Sequence, residues 1–254
     1  VYKRQFSSRC CQHNHAQGWP YYSEHLILAT PDNGAAIALY AACKATLKVA
    51  DGQEITLHEQ TNYPFEEKIS FTVNTTEDVR FPFYLRIPSW CDQPELAING
   101  KQKEIDPIPG KYIYIDRTWT DGDKVELNLP MKLSIHTWQV NKNSVSVNYG
   151  PLTLSLKINE EYIQKDSRST AIYDSRWQEG ADATQWPSYE IFPKSPWNYA
   201  LVLDSKVPLK NFKVIRKEWP SDNFPFTVSN VPLEVKAIGK QIPSWTLDKY
   251  GLCS

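Results

Sequence analysis

Cys10 and Cys11 follow one another directly, with His13 and His15 close behind, and no other stretch of the chain offers as much chemistry in so few residues. Adjacent Cα atoms sit only about 3.8 Å apart, below the usual disulfide span of about 4.4–6.8 Å, so the two sulfurs are poorly placed to bridge each other. A thiolate is both a nucleophile and a soft metal ligand, and a bound metal keeps it deprotonated. The pair can therefore present two sulfurs to one zinc, or one to a metal and one to a substrate. The plain alternative is two small buried apolar side chains, since free cysteine is among the most buried residue types. On the pair alone both readings stand.

Behind the pair comes a series of short motifs in fixed order. Cys10-Cys11-Gln12-His13-Asn14 is followed by Gly18-Trp19-Pro20-Tyr21 and Ala29-Thr30-Pro31-Asp32-Asn33-Gly34. Gln60-Thr61-Asn62-Tyr63-Pro64-Phe65, Leu85-Arg86-Ile87-Pro88-Ser89-Trp90-Cys91 and Ala97-Ile98-Asn99-Gly100 come next. Trp119-Thr120-Asp121-Gly122-Asp123, Leu127-Asn128-Leu129-Pro130-Met131 and Tyr149-Gly150-Pro151-Leu152 complete it. No one motif is specific, but their order resembles the β-L-arabinofuranosidases of glycoside hydrolase family 127 over about residues 9 to 158. Ser195-Pro196-Trp197-Asn198-Tyr199 is similar to a bacterial subgroup of the same family.

The resemblance implies an (α/α)6 barrel with a zinc–cysteine site, followed by two β-sandwich domains. It implies that Cys10 is the nucleophile attacking the anomeric carbon, that Cys11 is a zinc ligand, and that both sulfurs lie near the metal. The family's remaining ligands, a glutamate and a cysteine, and its glutamate acid/base lie upstream of the pair. Only nine residues precede Cys10 here, none of them acidic, so the 254-residue chain alone is expected to be inactive. Val1–Gln5 reads as foreign to the family pattern. Gln12 and His13 also depart from the family, which often has proline after the pair.

Composition sets the outer bounds. Lys+Arg 28 against Asp+Glu 29 gives a net charge of −1, which argues against nucleic acid or an anionic membrane as partner. No run of about 18 or more apolar residues exists to span a bilayer. Five cysteines at irregular spacing do not read as a disulfide framework, and Cys43, Cys91 and Cys253 read as buried or free thiols. Nine Trp and fourteen Tyr suit sugar binding, but most of them read as filling thick sandwich cores. Compartment is left open between bacterial periplasm and cytoplasm, and oligomeric state is not legible.

The elements that must carry these residues are mostly strands. Trp19, Tyr22, Leu26 and Ala29 follow helical spacing, which predicts a helix from about Pro20 to Ala29, the last of the implied barrel. From Ile37 the period becomes two. Asp51-Gly52, Asn99-Gly100 and Asp121-Gly122 mark hairpin turns between alternating runs such as Ile55–Gln60 and Tyr112–Ile115. His58 falls on a polar face, and His136 beside Trp138 reads as structural. Glu160–Ala183 loses periodicity and reads as an excursion before strands resume at Ala200–Leu203, Phe212–Ile215 and Leu233–Ala237.

The expected fold is thus mainly β: residues 1–30 as the end of a catalytic barrel, 31–131 as one sandwich, and 132–254 as a second, truncated one. The expected function is the C-terminal part of a retaining glycosidase acting on β-L-arabinofuranosyl groups of an oligosaccharide or polysaccharide. Cys10 is its expected nucleophile, and Cys10 and Cys11 its expected zinc ligands. Most retaining enzymes use two carboxylates about 5–5.5 Å apart, so a cysteine nucleophile needs the metal as its warrant. The alternative is a non-catalytic sandwich, either structural or binding sugar through Trp186, Trp197 or Trp245.

Overall fold

The computed structural model describes residues 9–170 and 177–248, without the side chains of residues 9–16. The protein is mainly β and divides into two compact units, one of Gly18–Leu154 and one of Ser155–Ser254 with the chain up to Gln17.

Helix α1 runs Arg9–Glu24, with Pro20 inside it, so it begins and ends earlier than the spacing predicts. Its end is closed by His25, whose amide donates to the carbonyls of Tyr21 and Tyr22 at 3.2 Å each. Ile27–Ala29, expected as the last helical turn, is instead strand β1. The reason is a tertiary partner: β2, Ala35–Ile37, pairs antiparallel with it from Ile27↔Ile37 to Ala29↔Ala35. A strand ladder satisfies the same backbone groups that a helix would, and local spacing cannot choose between them.

The chain then forms β3 Cys43–Val49, β4 Gln53–Thr61, β5 Lys68–Thr75, β6 Val79–Arg86, β7 Glu95–Ile98, β8 Lys101–Lys103, β9 Tyr112–Trp119 and β10 Asp123–Asn128. Two sheets result, a four-stranded one ordered β1-β2-β6-β9 and a six-stranded one ordered β3-β4-β5-β10-β7-β8. Alternation sends Phe81, Phe83 and Leu85 of one sheet and Ile55, Leu57, Phe71 and Val125 of the other into a single shared core. Trp119 is fully buried there, edge-on to Phe83 at 5.8 Å, with its indole N–H donating to the Phe81 carbonyl at 3.0 Å.

The turn chemistry holds at two of the three sites. Ala50 and Gly52 take φ 48° and 94° between β3 and β4, and Asn99 and Gly100 take 51° and 74° between β7 and β8. Asp121-Gly122 is also a tight turn, but it joins β9 to β10, which lie in different sheets. It is a corner of the sandwich, not a hairpin. Its Asp121 carboxylate accepts from the Asn74 side chain at 3.1 Å and the Thr75 amide at 3.2 Å, fixing the corner against the end of β5.

A three-stranded antiparallel sheet follows in the same unit: β11 Leu133–Trp138, β12 Ser144–Tyr149 and β13 Leu152–Leu154. One 3-10 turn, Gln139–Asn141, interrupts it before left-handed Lys142 at φ 52°. In the other unit β14 Glu160–Lys165 pairs with β15 Ser188–Pro193, so the expected excursion opens with a strand. Its glutamates and lysine mask the alternation. The short helix α2, Ser167–Thr170, follows β14. Further along, β16 Tyr199–Leu201 pairs with β19 Gly239–Gln241, and β17 Lys213–Arg216 with β18 Leu233–Lys236.

Candidate functional site

The backbone of Cys10 and Cys11 lies in the first turn of α1, but their side chains are outside the described residues, as are those of His13 and His15. Two other groupings in the unit of Gly18–Leu154 concentrate titratable side chains.

The first surrounds Glu59. Strand parity puts Glu59 on the same face of β4 as Ile55 and Leu57, so its carboxyl is carried into the core and only 1% of the residue remains exposed. Its Oε1 accepts from the Ala41 amide at 3.1 Å, and the Cys43 thiol, directly across the ladder, lies 3.8 Å from Oε2. Burial pushes the Glu59 carboxyl up to about 8, and these two hydrogen bonds recover only part of the shift. Burial, then the nearness of Glu59, pushes the Cys43 thiol up to about 11. Tyr40 is held well above its usual range by burial, and its hydroxyl donates to the Arg86 carbonyl. Tyr63 meets the Tyr40 ring edge-on at 5.8 Å, and burial followed by Glu59 also raises Tyr22 of α1. At neutral pH this is a set of protonated groups. Glu59 is too enclosed to hand its proton to a substrate, so its role is structural.

The second lies on the outer face of the four-stranded sheet. The turn Thr30-Pro31-Asp32-Asn33-Gly34 is closed by Gly34, whose amide donates to Thr30 Oγ1 at 2.9 Å, and by Asn33 at φ 59°. A Cβ at Gly34 would stand 2.2 Å from the Pro82 carbonyl oxygen, so only glycine lets the turn close against β6. That approach aims Asp32 at Tyr84, whose hydroxyl donates to Oδ2 at 2.6 Å. Thr30 Oγ1 donates to Oδ1. The Thr30 and Tyr84 hydrogen bonds hold Asp32 below the usual carboxylate range, and the same bond pushes Tyr84 up to about 12. Beside it Arg80 grips Asp116 through two nitrogens at 2.9 and 3.2 Å, which holds that carboxyl low too. Thr30, Pro31, Asp32, Ala36, Tyr84 and Tyr112 line a cleft of about 480 Å³ on this face.

No group of three His, Cys, Asp or Glu side chains converges on a metal-sized space among the described residues. Cys43 and Glu59 face each other across the ladder as a pair of groups raised by burial. His58 is exposed, as expected, on the solvent face of β4. His136 meets Trp138 edge-on at 4.3 Å on an exposed strand face, and the indole N–H donates to Ser146 Oγ at 3.2 Å. Cys91 is buried. Trp186 is 68% exposed and Trp245 39%, while Trp197 is half-buried. Glu59 escaped the sequence reading, although its parity with Ile55 and Leu57 is visible there. The Asp32–Tyr84 pair has no such signal, being 52 residues apart.

Residues 34–131 match the family model described as the β-L-arabinofuranosidase, GH127 middle domain. Among solved structures, one titled a glycoside hydrolase is 28% identical with a TM-score of 0.54, covering 59% of this chain and 26% of its own. A GH127 β-L-arabinofuranosidase from Geobacillus stearothermophilus T6 is 23% identical with a TM-score of 0.54, covering 75% of this chain and 35% of its own. A GH127 β-arabinofuranosidase is 22% identical with a TM-score of 0.53, covering 80% of this chain and 34% of its own. The chain thus spans about a third or less of the length of these structures. No curated protein matches it.

Proposed function

From the premise that residues 34–131 are a middle domain of glycoside hydrolase family 127, we propose that this chain is the C-terminal part of a retaining glycosidase that removes β-L-arabinofuranosyl groups from plant-type glycans. The family-model match carries the reading, and the mainly β fold shared with the two GH127 structures supports it.

In this reading the thiolate of Cys10 attacks the anomeric carbon as the glycosidic oxygen leaves with a proton from an acid elsewhere in the parent protein. Water then releases the sugar from the sulfur and regenerates the thiolate. Cys10 and Cys11 would supply two sulfurs to a zinc whose chemistry is to keep a thiolate deprotonated at neutral pH. Two ligands are half of a tetrahedral set.

The test is covalent trapping in the full-length parent with an arabinofuranosyl electrophile, read by mass spectrometry. Cys10→Ser abolishes the adduct, because a hydroxyl is a far weaker nucleophile at neutral pH. Cys11→Ser lowers zinc content and turnover but leaves some label on Cys10. A label on Cys11 or on a carboxylate refutes the assignment. The 254-residue chain alone is expected to leave p-nitrophenyl β-L-arabinofuranoside intact.

A further inference from the structure

We propose that the cleft on the outer face of the four-stranded sheet is a non-catalytic binding site for a neutral sugar unit of a glycan. The face is built in register across all four strands: Leu28 lies opposite Ala36, Ala36 opposite Tyr84, and Tyr84 opposite Tyr114. Ala36 is the short residue in that row. Its methyl forms a floor between larger neighbours, and a cleft of about 480 Å³ opens there, walled by Tyr84 and Tyr112. Small-molecule sites span about 300–1,000 Å³, so the space suits a ligand of one or two rings. Tyr112 and Tyr114 are 45% and 57% exposed, and Tyr84 packs on Tyr114 at 5.1 Å.

Charge selects the ligand class. Asp116 is matched by Arg80, whereas Asp32 carries its charge in the cleft, held by the hydroxyls of Thr30 and Tyr84. Asp32 is the one charged residue among the six that line the cleft, which disfavours uronic acids, phosphates and other anions there. A neutral sugar meets both features: its C–H face lies on a phenol ring, and its hydroxyls donate to an oriented carboxylate. The turn that holds Asp32 is fixed in advance, because Gly34 closes it against Pro82 and the Ala50 amide donates to the Asn33 carbonyl at 2.7 Å.

The choice of a glycan ligand rests on the glycosidase reading, but the site does not depend on Cys10 or on turnover. Calorimetric titration of the 254-residue protein with a neutral arabino-oligosaccharide tests it, alongside an oligogalacturonide and a lysine tripeptide. Saturable binding of the neutral sugar is expected, weakened about tenfold or more by Ala36→Leu, which fills the cleft, and by Tyr112→Ala. Asp32→Asn weakens it less and lets the oligogalacturonide bind. Both tyrosine and alanine positions face solvent, and a melting curve confirms that the variants fold. Binding is read through variants of the cleft and the nucleophile assignment through covalent trapping, so failure of that assignment is distinguishable from failure here. Sugar binding that survives both Ala36→Leu and Tyr112→Ala, or its absence, overturns the proposal. So does lysine-tripeptide binding without sugar binding, which would mark a protein-docking face.

Discussion

Replacing Glu59 by glutamine isolates the energetic consequence of one buried proton. The carboxyl titrates at an ordinary value of 4.5 once unfolded and at about 8 in the fold. Between those values the folded state holds a proton that the unfolded chain has released, so stability falls as pH rises. The slope is at most about 1.4 kcal/mol per pH unit, and the accumulated loss at pH 7 is about 3 kcal/mol. Above the folded value both states are ionised and the slope vanishes. Glutamine keeps an oxygen for the Ala41 amide and cannot ionise, so the variant should match the parent near pH 4.5 and exceed it by about 3 kcal/mol at pH 7. Urea unfolding of both proteins at half-unit steps from pH 4.5 to 8.5 gives the difference curve, in which all other titrating groups cancel. A difference that stays flat across that window would refute the reasoning, since it would mean that Glu59 ionises in the fold at no cost.

Trp119→Ala should cost about 3–5 kcal/mol in urea unfolding, because a fully enclosed ring is removed and the Phe81 carbonyl loses its donor. Gly34→Ala should destabilise by about 1–3 kcal/mol, since the added methyl would stand against the Pro82 backbone, which cannot swing aside as a side chain can. Cys43, with its thiol pushed up to about 11, should alkylate slowly with iodoacetamide at pH 7 and much faster at pH 10. A neutral-pH rate equal to that of a free thiol would contradict the burial of its neighbourhood.

Most of the sandwich was legible because its strands obey period two and its turns announce themselves. The Asn99-Gly100 pair and the alternation of Ile55, Leu57 and His58 each pointed to the observed element. What failed to show was anything decided by a distant partner. Ile27–Ala29 carries helical spacing but pairs with Ala35–Ile37. Asp121-Gly122 has hairpin chemistry, yet its two strands part to different sheets because the core between them must be filled from both sides. The Asp32–Tyr84 cleft was hidden for the same reason, being assembled by a parallel pairing of β2 with β6. Glu59 is different: its parity was on the page, and what concealed it was the expectation that a glutamate faces water.

That corner at Asp121-Gly122 also dictates the order in which the domain can be completed. The strand it delivers, β10, sits between β5 and β7, although β5 ends at Thr75 and β7 at Ile98, both well before Asp123. Until Asp123–Asn128 leaves the ribosome, Lys68–Thr75 has one bare edge and the Glu95–Lys103 hairpin has no sheet to join. Bare edges of apolar strands are what recruit other chains. A nascent polypeptide halted between Ile98 and Asp123 therefore carries both of these unpartnered edges, and β10 covers them. Anyone shortening this protein from its C-terminal side meets the same threshold: cuts before the corner strand leave those edges without their partner.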